Sequence, residues 1–542
     1  MSTPPLSVPS ALVSLAPSGH IDTFARDHLP PPDAWPPLIF PPDLTYPERL
    51  NAAAELLDGT ISRLGADRRA TITASQTWTY GDLRTHVDQL AHFLTDEVKL
   101  VPGNRVLIRM PNNEWLVAAW LAVLKAGCVA VTSMPALRAT ELRTIHEIAS
   151  IAYSLVDHRF AADFTEAAIG PGALFGGPDD VVAHLDALSP SFAAVDTAAD
   201  DVAMLAFTSG TTGRPKATMH FHRDLLAAAD TFSRYVLRPT PHDVFVGSPP
   251  IGFTFGLGGL VVFPMRVGAA MLLVERGTPD VLGPALAAYG ATVLFTAPTA
   301  YRALLSTPGA DFSTLRRCVS AGEPLSAATW QAFYDRTGLK IIDGIGSTEM
   351  LHIFIASAED DIRPGSTGRV VPGYEACVLD DDGNPVPDGT IGRLAVRGPT
   401  GCRYLSDERQ ATYVRNGWNF TGDTYMRDED GYYWYKARND DMIISAGFNI
   451  AGPEVEMALM THPDVLECAV IGAPDADRTM IVHAFVVLRP GAHPTTTELQ
   501  EHCRRTIAPY KMPRVVEFID ALPRTTTGKV QRFRLRERVA NE

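Results

Sequence analysis

The segment from Phe207 to Thr218, which reads FTSGTTGRPKAT, combines the residue types that bind a polyphosphate. Glycine lets the backbone approach phosphate closely, and exposed N–H groups, hydroxyls and a lysine amine then bind its oxygens. The spacing is not that of a Walker A loop, because Lys216 follows Gly213 by three residues with Pro215 between them. The candidate phosphate ligands are Thr208, Ser209, Gly210, Thr211, Thr212, Gly213 and Lys216.

A flexible Ser/Thr/Gly linker is the plain alternative for this segment. The apolar run VAMLAF precedes it, however, and a helical run follows it, which favours a binding loop between two ordered elements. Two histidines just after the loop, His220 and His222, have an i, i+2 spacing that invites a metal site. No further ligands stand at suitable spacing, so we expect them to brace the following helix.

Short apolar runs that end in Gly, Pro or Ser alternate with helical runs on both sides of this loop. Asn113–Ala126 has apolar residues at helical spacing with Gly127 as a stop, and Asp280–Tyr289 is a second helical run. This alternation predicts an α/β fold with parallel or mixed sheets covered by helices, and ligands bind beyond the carboxyl ends of such strands. The predicted strands include NRVLIRM, CVAVTSM, VFVGSPP, AAMLLVE, TVLFTAP, RRCVSAG and IIDGIGS.

The chain has 542 residues, more than one hydrophobic core usually supports, so we expect at least two domains. Residues 1–50 are rich in proline and read as an extended arm. Residues 51–437 form a large N-terminal domain that becomes β-rich from Glu375 to Tyr435, where short strands alternate with turn residues. The short, polar and charged string KARNDD predicts a linker at 438–441, and residues 442–542 form a small C-terminal α+β domain.

Composition excludes several classes of function. A formal net charge of −15 gives no support to binding of nucleic acid or of anionic membrane surfaces. Six scattered cysteines contain no CxxC pair, which argues against structural zinc and a disulfide framework and favours a reducing, cytoplasmic setting. The first residues lack the basic start of a signal peptide, and no apolar run is long enough to span a bilayer.

Five stretches, in the same order, resemble the motifs of the adenylate-forming superfamily, which includes acyl-CoA synthetases, peptide-synthetase adenylation domains and firefly luciferases. They are FTSGTTGRPKAT, DGIGSTE (Asp343–Glu349), FTGD (Phe420–Asp423), YKARNDD (Tyr435–Asp441) and PRTTTGKVQR (Pro523–Arg532). Taken singly, each of the four charged residues in these stretches has an ordinary explanation. Glu349 could be a solvated acid and Asp423 a turn residue, and Arg438 and Lys529 could be surface charges. Their joint order favours the functional interpretation.

The resemblance implies a role for each matching residue. Lys529 is implied as the catalytic lysine, Thr348 as a phosphate contact and Glu349 as the ligand of Mg²⁺. Asp423 and Arg438 are implied to bind the ribose of ATP. The further residues implied at the nucleotide are Ala321, Gly322, Glu323, Asp343, Gly344, Ile345, Gly346 and Tyr435.

The implied reaction has two steps. A carboxylic acid attacks ATP to give an acyl-adenylate and pyrophosphate, and the thiol of coenzyme A then takes the acyl group. Members of the family move a mobile C-terminal domain between the steps, which places Asp440 at the hinge and Gly447 in the pantetheine tunnel. Ala446 and Ala437 depart from the glycines that many members carry there. Relatives are often dimers, so a homodimer is one expected assembly.

The strings DGIGSTEMLHIF and VPGYE resemble benzoate-CoA ligases, and KATMHFHRDLL and PPIGFTFGLGG resemble the 2-aminobenzoate branch most. A small aromatic carboxylic acid is therefore the implied substrate, with 2-aminobenzoate first and benzoate as the alternative. A loader that transfers the acyl group to a pantetheinylated carrier protein is a further alternative. The residues implied to line the acid pocket are Phe253, Thr254, Phe255, His352 and Ile353, although the phenylalanines could simply pack in the core.

Overall fold

The computed structural model describes residues 15–208, 215–438, 441–445, 448–475, 479–507, 509–525 and 528–540. These residues form two compact units. The larger unit contains the described residues up to Ala376 together with Val396–Asn419, and the smaller contains Cys377–Ala395 and the described residues from Phe420 onward. The predicted hinge at 438–441 falls partly outside the described residues and stays a prediction.

A nine-stranded sheet and a six-stranded sheet organise the larger unit, as the α/β pattern of the sequence predicts. Both are mainly parallel, with antiparallel pairs toward their edges. The nine strands run in the order Arg369–Val370, Ile353–Ala356, Ile341–Gly346, Arg317–Ser320, Val293–Thr296, Val244–Gly247, Ala270–Leu272, Arg69–Ile72 and Thr77–Thr79. The six run in the order Gly172–Phe175, Tyr153–Asp157, Arg105–Arg109, Val129–Ser133, Val202–Thr208 and Lys216–Phe221.

A five-stranded sheet forms the β-rich region predicted from the turn-rich stretch after Glu375. It contains Glu375–Leu379, Ile391–Arg397, Trp418–Arg427 and Val414–Arg415 in that order, with Tyr433–Arg438 also paired to Trp418–Arg427. A second five-stranded sheet, in the smaller unit, contains Phe448–Ala451, Met442–Ser445, Thr479–Leu488 and Val465–Asp475, with Val515–Phe518 paired to Thr479–Leu488. Helices Gly452–Met460, Thr496–Thr506 and Arg532–Ala540 accompany it, which agrees with the predicted α+β class.

Local signals in the sequence explain where helices begin and end. Helix Glu114–Lys125 begins after Asn113, whose side chain accepts a hydrogen bond from the backbone N–H of Leu116, and Gly127 beyond its end has a φ of 71°. The other α-helices of the larger unit are Phe24–Asp27, Gly59–Leu64, Tyr80–His92, Ala139–Ala149, Ala161–Ala167, Val182–Leu185, His222–Ala228, Thr254–Leu257, Phe263–Val267, Pro279–Ala288, Pro298–Leu304, Ala327–Thr337 and Gln410–Tyr413.

Four π-helical segments and four short 3-10 helices complete the described elements. The π segments, Ala54–Asp58, Phe93–Glu97, Ala229–Leu237 and Gly258–Val262, each adjoin an α-helix. The 3-10 helices are Pro32–Ala34, His158–Phe160, Glu359–Asp361 and Pro509–Lys511. Within the described ranges, no helix combines the length and the apolar character that crossing a bilayer requires.

Candidate active site

The predicted phosphate loop joins two antiparallel strands at the edge of the six-stranded sheet. Thr208 ends the strand Val202–Thr208 and is paired with Lys216, which begins the strand Lys216–Phe221. The loop residues Ser209, Gly210, Thr211, Thr212 and Gly213 lie outside the described residues, so their role stays a prediction.

Lys216 lies in a small polar cluster with Glu349 and Tyr404. Its Nζ donates a hydrogen bond to the Tyr404 hydroxyl at 2.7 Å and lies 3.6 Å from Oε1 of Glu349. The Tyr404 hydroxyl in turn donates to the same Glu349 oxygen. Burial, together with the Glu349 carboxylate, raises the pKa of Tyr404 far above its ordinary value, so the phenol keeps its proton. The structure therefore brings together a cation and a carboxylate that the sequence assigns to phosphate and metal.

Three hydrogen bonds fix the loop that carries Thr348 and Glu349. The hydroxyl of Ser347 lies 3.1 Å from that of Tyr413 and accepts from the backbone N–H of Met350 at 3.2 Å. Nε2 of His220 donates to the backbone carbonyl of Thr348 at 2.8 Å. Because Tyr413 and His220 come from distant parts of the chain, the loop is held largely by tertiary contacts rather than by its own sequence.

The side chains of His220 and His222 make different contacts from the helix-bracing contacts that we expected of both. His220 is on the strand Lys216–Phe221 and supports Thr348, whereas Nδ1 of His222 accepts from the backbone N–H of Ala52 at 3.1 Å. Burial lowers the pKa of each to about 3, so both are neutral at neutral pH. Among the described residues, no group of His, Cys, Asp and Glu side chains has the arrangement of a metal centre.

Arg403, next to Tyr404 in the chain, forms a fully buried ion pair with Asp224. The Arg403 guanidinium donates to Asp224, which also accepts from the backbone N–H of Phe221 at 2.9 Å at the start of helix His222–Ala228. The guanidinium also stacks 4.0 Å from the Phe221 ring centroid. Burial raises the pKa of Asp224 and lowers that of Arg403, and the mutual attraction of the pair opposes both effects.

Two of the residues expected to bind the acid, His352 and Phe255, lie in one aromatic cluster. The ring centroid of His352 lies 4.5 Å from that of Phe263, 5.6 Å from Phe232 and 5.7 Å from Phe255. Its Nε2 donates to the Phe255 carbonyl at 3.4 Å, and burial lowers its pKa to about 3. Its other nitrogen, Nδ1, is buried and has no hydrogen-bond partner among the described residues. The imidazole is thus a neutral group with an unused acceptor.

Thr254 and its neighbours adjoin this cluster. Thr254 begins the helix Thr254–Leu257, is buried, and its hydroxyl makes no hydrogen bond to any described residue. Phe253 precedes the helix and is half-buried, as is Phe255. Gly258, one turn further, makes room for the imidazole, because a methyl group there would overlap the His352 ring.

The predicted nucleotide residues follow two adjacent parallel strands of the nine-stranded sheet. Ala321, Gly322 and Glu323 come directly after Arg317–Ser320, and Ser320 is paired with Asp343 in the neighbouring strand. Burial raises the pKa of Asp343 well above its ordinary range. Gly344, Ile345 and Gly346 complete the strand Ile341–Gly346, and buried Ile353, expected in the acid pocket, packs against Gly344. These two groups therefore lie at neighbouring strand ends, where the fold predicts ligands.

The remaining predicted residues belong to the smaller unit. Arg438 lies 3.3 Å from the Asp423 carboxylate, and the two residues are paired across antiparallel strands. Burial raises the pKa of Asp423, while the charges of Arg438 and Lys529 oppose that shift. Tyr435 is on the same strand as Arg438, and Lys529 is exposed beyond the turn at Gly528. The hinge residue Asp440 and the tunnel residues Ala446 and Gly447 lie outside the described residues.

Glu349 is the one predicted metal ligand, and its surroundings suit Mg²⁺. Mg²⁺ prefers carboxylate and water oxygens and commonly binds through one or two carboxylates plus substrate phosphates. Oε1 of Glu349 is engaged by Tyr404 and faces Lys216, whereas Oε2 makes no hydrogen bond to a described residue. One carboxylate oxygen thus remains for a cation.

Sequence reasoning missed three residues that contact this site: His220 as a support of Thr348, and Tyr404 and Tyr413. Tyr404 and Glu349 are 55 positions apart, and Tyr404 and Lys216 are 188 apart. No local pattern marks either tyrosine, because their roles arise from the pairing of the segment around Tyr404 with the strand that carries Lys216.

Comparison with known proteins identifies the family. Residues 60–404 match the family model of the AMP-binding enzymes, and residues 454–529 match the model of the AMP-binding enzyme C-terminal domain. The benzoate–CoA ligase of Thauera aromatica is 33% identical over 516 residues, which cover 92% of this chain and 97% of that protein.

Two solved structures share the fold over nearly the whole chain. The anthranilate CoA ligase AuaEII in complex with anthranoyl-AMP has a TM-score of 0.86 at 32% identity and covers 92% of this chain and 98% of its own. A benzoate CoA ligase from Burkholderia xenovorans LB400 has a TM-score of 0.83 at 32% identity and covers 90% and 100%. The chain therefore belongs to the AMP-binding enzyme family, the adenylate-forming superfamily, and is an AMP-forming acid–thiol ligase.

Proposed function

We propose that this ligase activates 2-aminobenzoate with ATP as an acyl-adenylate and transfers the acyl group to coenzyme A, with release of pyrophosphate and AMP. The coarser part of this proposal, an aromatic acid as substrate, is supported by relatives named for benzoate and for anthranilate. The observation that carries the finer part is Nδ1 of His352, a buried acceptor in an aromatic cluster that has no hydrogen-bond partner among the described residues. The Thr254 hydroxyl, one residue before Phe255 of that cluster, is the second acceptor that we assign.

The chemistry of these acceptors suits an ortho amino group. Because Nε2 of His352 carries the proton that it donates to Phe255, Nδ1 can only accept, and the low pKa keeps it so at neutral pH. An arylamine donates two N–H bonds, whereas benzoate offers only C–H at that position. A buried acceptor left unpaired costs about 1–3 kcal/mol, which would discriminate against benzoate.

Several of the motif residues are assigned to the charged groups of ATP. The attacking carboxylate and the α-phosphate are both anionic, so their meeting requires positive charge. We assign Lys216 and the loop hydroxyls to the phosphates, Asp423 and Arg438 to the ribose, and Lys529 to the reacting phosphate. Glu349, with Thr348 beside it, would hold Mg²⁺, which when bound neutralises charge on the phosphates.

The second step depends on residues that stay predictions. We propose that movement about Asp440 exchanges the adenylation and thiol-transfer arrangements, and that Gly447 lines the route of the pantetheine arm with Ala446 narrowing it. Benzoate as the preferred acid, and a pantetheinylated carrier protein as the acceptor, remain the two alternatives, the first being favoured by the benzoate–CoA ligase relative.

Comparison of kcat/KM among three aromatic acids tests the substrate proposal. We expect kcat/KM for 2-aminobenzoate to exceed that for benzoate by about tenfold, since one satisfied buried acceptor accounts for roughly 1.4 kcal/mol. The isomer 4-aminobenzoate is the matched control, because it carries the same amine at the wrong position. Equal or higher kcat/KM for benzoate would overturn the 2-aminobenzoate assignment and leave the benzoate alternative.

A further inference from the structure

Tyr404 lies outside the five stretches that resemble the family's motifs, yet its hydroxyl contacts Lys216 and Glu349, two residues of predicted catalytic importance. It lies 2.7 Å from Nζ of Lys216 and in hydrogen-bond contact with Oε1 of Glu349. The ammonium group also lies 4.5 Å from the centroid of the Tyr404 ring. One phenol therefore links the predicted phosphate-binding cation to the predicted metal-binding carboxylate.

The direction of these hydrogen bonds is fixed by chemistry. Lys216 can only donate and the ionised Glu349 carboxylate can only accept. The Tyr404 hydroxyl has one proton, so it must accept from Lys216 and donate to Glu349. Hydrogen bonds to ionised groups are the stronger kind, so both charged side chains are held in one orientation.

The backbone holds the phenol in place. Residues 403–405 run beside the strand that carries Lys216: Leu405 N–H donates to the Ala217 carbonyl at 2.9 Å, and Met219 N–H donates to that of Arg403 at 2.7 Å. Tyr404 N–H donates to the Gln410 side chain at 2.9 Å. Because these contacts do not involve the hydroxyl, the ring is positioned independently of the charges that it connects.

We propose that Tyr404 is a positioning residue for Glu349, the predicted metal ligand of this ligase. It keeps Oε1 of Glu349 engaged, so that the free Oε2 is presented to the cation, and it holds Lys216 alongside. Hydrogen-bond partners of metal ligands commonly contribute 10–100-fold to metal affinity by fixing the ligand's orientation. The inference rests on the proposed Mg²⁺ role of Glu349 and is independent of which acid is activated.

The test is the substitution Tyr404→Phe, which keeps the buried ring and removes only the hydroxyl. Mn²⁺ serves as a paramagnetic probe for Mg²⁺, and its binding is measured by electron paramagnetic resonance in the presence of α,β-methylene-ATP, which cannot be cleaved at the reacting bond. We expect Mn²⁺ affinity to fall about tenfold or more. Metal-free binding of the same analogue, measured by calorimetry, should change much less.

Tyr80→Phe is the matched control. Tyr80 is also fully buried in the larger unit, and its hydroxyl donates to the Ala269 carbonyl at 2.8 Å, remote in sequence from Lys216 and Glu349. It should lower the melting temperature to a similar extent while leaving Mn²⁺ affinity at the wild-type value. A merely structural role for Tyr404 would give the same pattern as this control.

The outcomes separate the inference from the proposed function. If the wild type binds Mn²⁺ with the analogue and Tyr404→Phe binds it equally well, the positioning role is overturned while the ligase assignment stands. The same holds if metal-free and metal-dependent affinities fall by the same factor. If the wild type itself binds no Mn²⁺, the metal role of Glu349 fails and the inference fails with it.

Discussion

The Thr254 hydroxyl and Nδ1 of His352 are the polar atoms that we propose for distinguishing between aromatic acids. Both residues are buried beside phenylalanine rings, and neither atom has a hydrogen-bond partner among the described residues. Buried polar atoms are almost always paired in native proteins. We therefore propose that a bound acid supplies the donor for Nδ1 of His352, which lies among the aromatic rings expected to contact that acid.

Substitution of Thr254 tests this explanation directly. Thr254→Ala should lower the ratio of kcat/KM for 2-aminobenzoate over that for benzoate by about tenfold, because one acceptor for the amine is lost. Thr254→Ser keeps the hydroxyl and should keep most of the ratio. Steady-state kinetics with both acids provides the measurement, and an unchanged ratio in Thr254→Ala would leave His352 as the sole acceptor in the account.

At the scale of elements, the strand Lys216–Phe221 supports the site from several sides. Its first residue, Lys216, belongs to the polar cluster, and His220 donates to the Thr348 carbonyl. The helix that follows, His222–Ala228, carries Asp224 in its first turn, and Asp224 is paired with Arg403. The segment 403–405 is hydrogen-bonded to this same strand. The Arg403–Asp224 pair therefore fixes the element that presents Tyr404.

Loss of one partner of this buried pair should be strongly destabilising. Arg403→Met should lower the free energy of unfolding by about 3–5 kcal/mol, because it leaves the Asp224 carboxylate buried without a counter-charge. Arg403→Met combined with Asp224→Asn should recover much of that loss, since no unpaired charge remains and the amide oxygen of the new side chain can still accept from the Phe221 N–H. Urea unfolding of the two single variants, the double variant and the wild type measures this coupling, and strictly additive losses would contradict it.

The strands and helices around the site could be predicted because their signals are local. The strand Arg105–Arg109 and the helix Glu114–Lys125 follow from apolar periodicity, the cap at Asn113 and the stop at Gly127. The contacts of Tyr404, Tyr413 and His220 could not be predicted, because each depends on tertiary pairing between segments 55 to 188 positions apart. Packing of this kind leaves no periodic pattern in the sequence.

At the scale of the whole molecule, an acidic chain must bind an anionic nucleotide. The formal net charge is −15, yet charges farther apart than about 8 Å are largely screened at physiological ionic strength. Local cations therefore outweigh the overall charge. Lys216, Arg438 and Lys529 are the positively charged side chains that we assign to ATP.

Buried histidines make the larger unit sensitive to acid. Burial lowers the pKa of His220, His222 and His352 from 6.5 to about 3. Between these values the unfolded chain binds protons that the folded chain does not, so the free energy of unfolding falls as pH decreases below 6.5. Each group contributes about 1.4 kcal/mol per pH unit within that window.

Replacement of one histidine tests the sign and the size of this effect. His222→Asn keeps an acceptor for the Ala52 N–H but removes the titration. The loss of unfolding free energy between pH 7 and pH 5 should then be smaller than in the wild type by about 2 kcal/mol. Urea unfolding at the two pH values measures it, and equal losses in both proteins would show that His222 does not titrate as proposed.

The most direct test of the central claim is CoA-dependent release of AMP from ATP and magnesium across a panel of acids. The panel comprises 2-aminobenzoate, benzoate, hydroxybenzoates, cinnamates and a medium-chain fatty acid. We predict the highest kcat/KM for 2-aminobenzoate, with benzoate next and the fatty acid far below. Turnover of the fatty acid alone would contradict the aromatic pocket, and formation of an aryl-adenylate that coenzyme A does not accept would contradict the assignment of the acceptor.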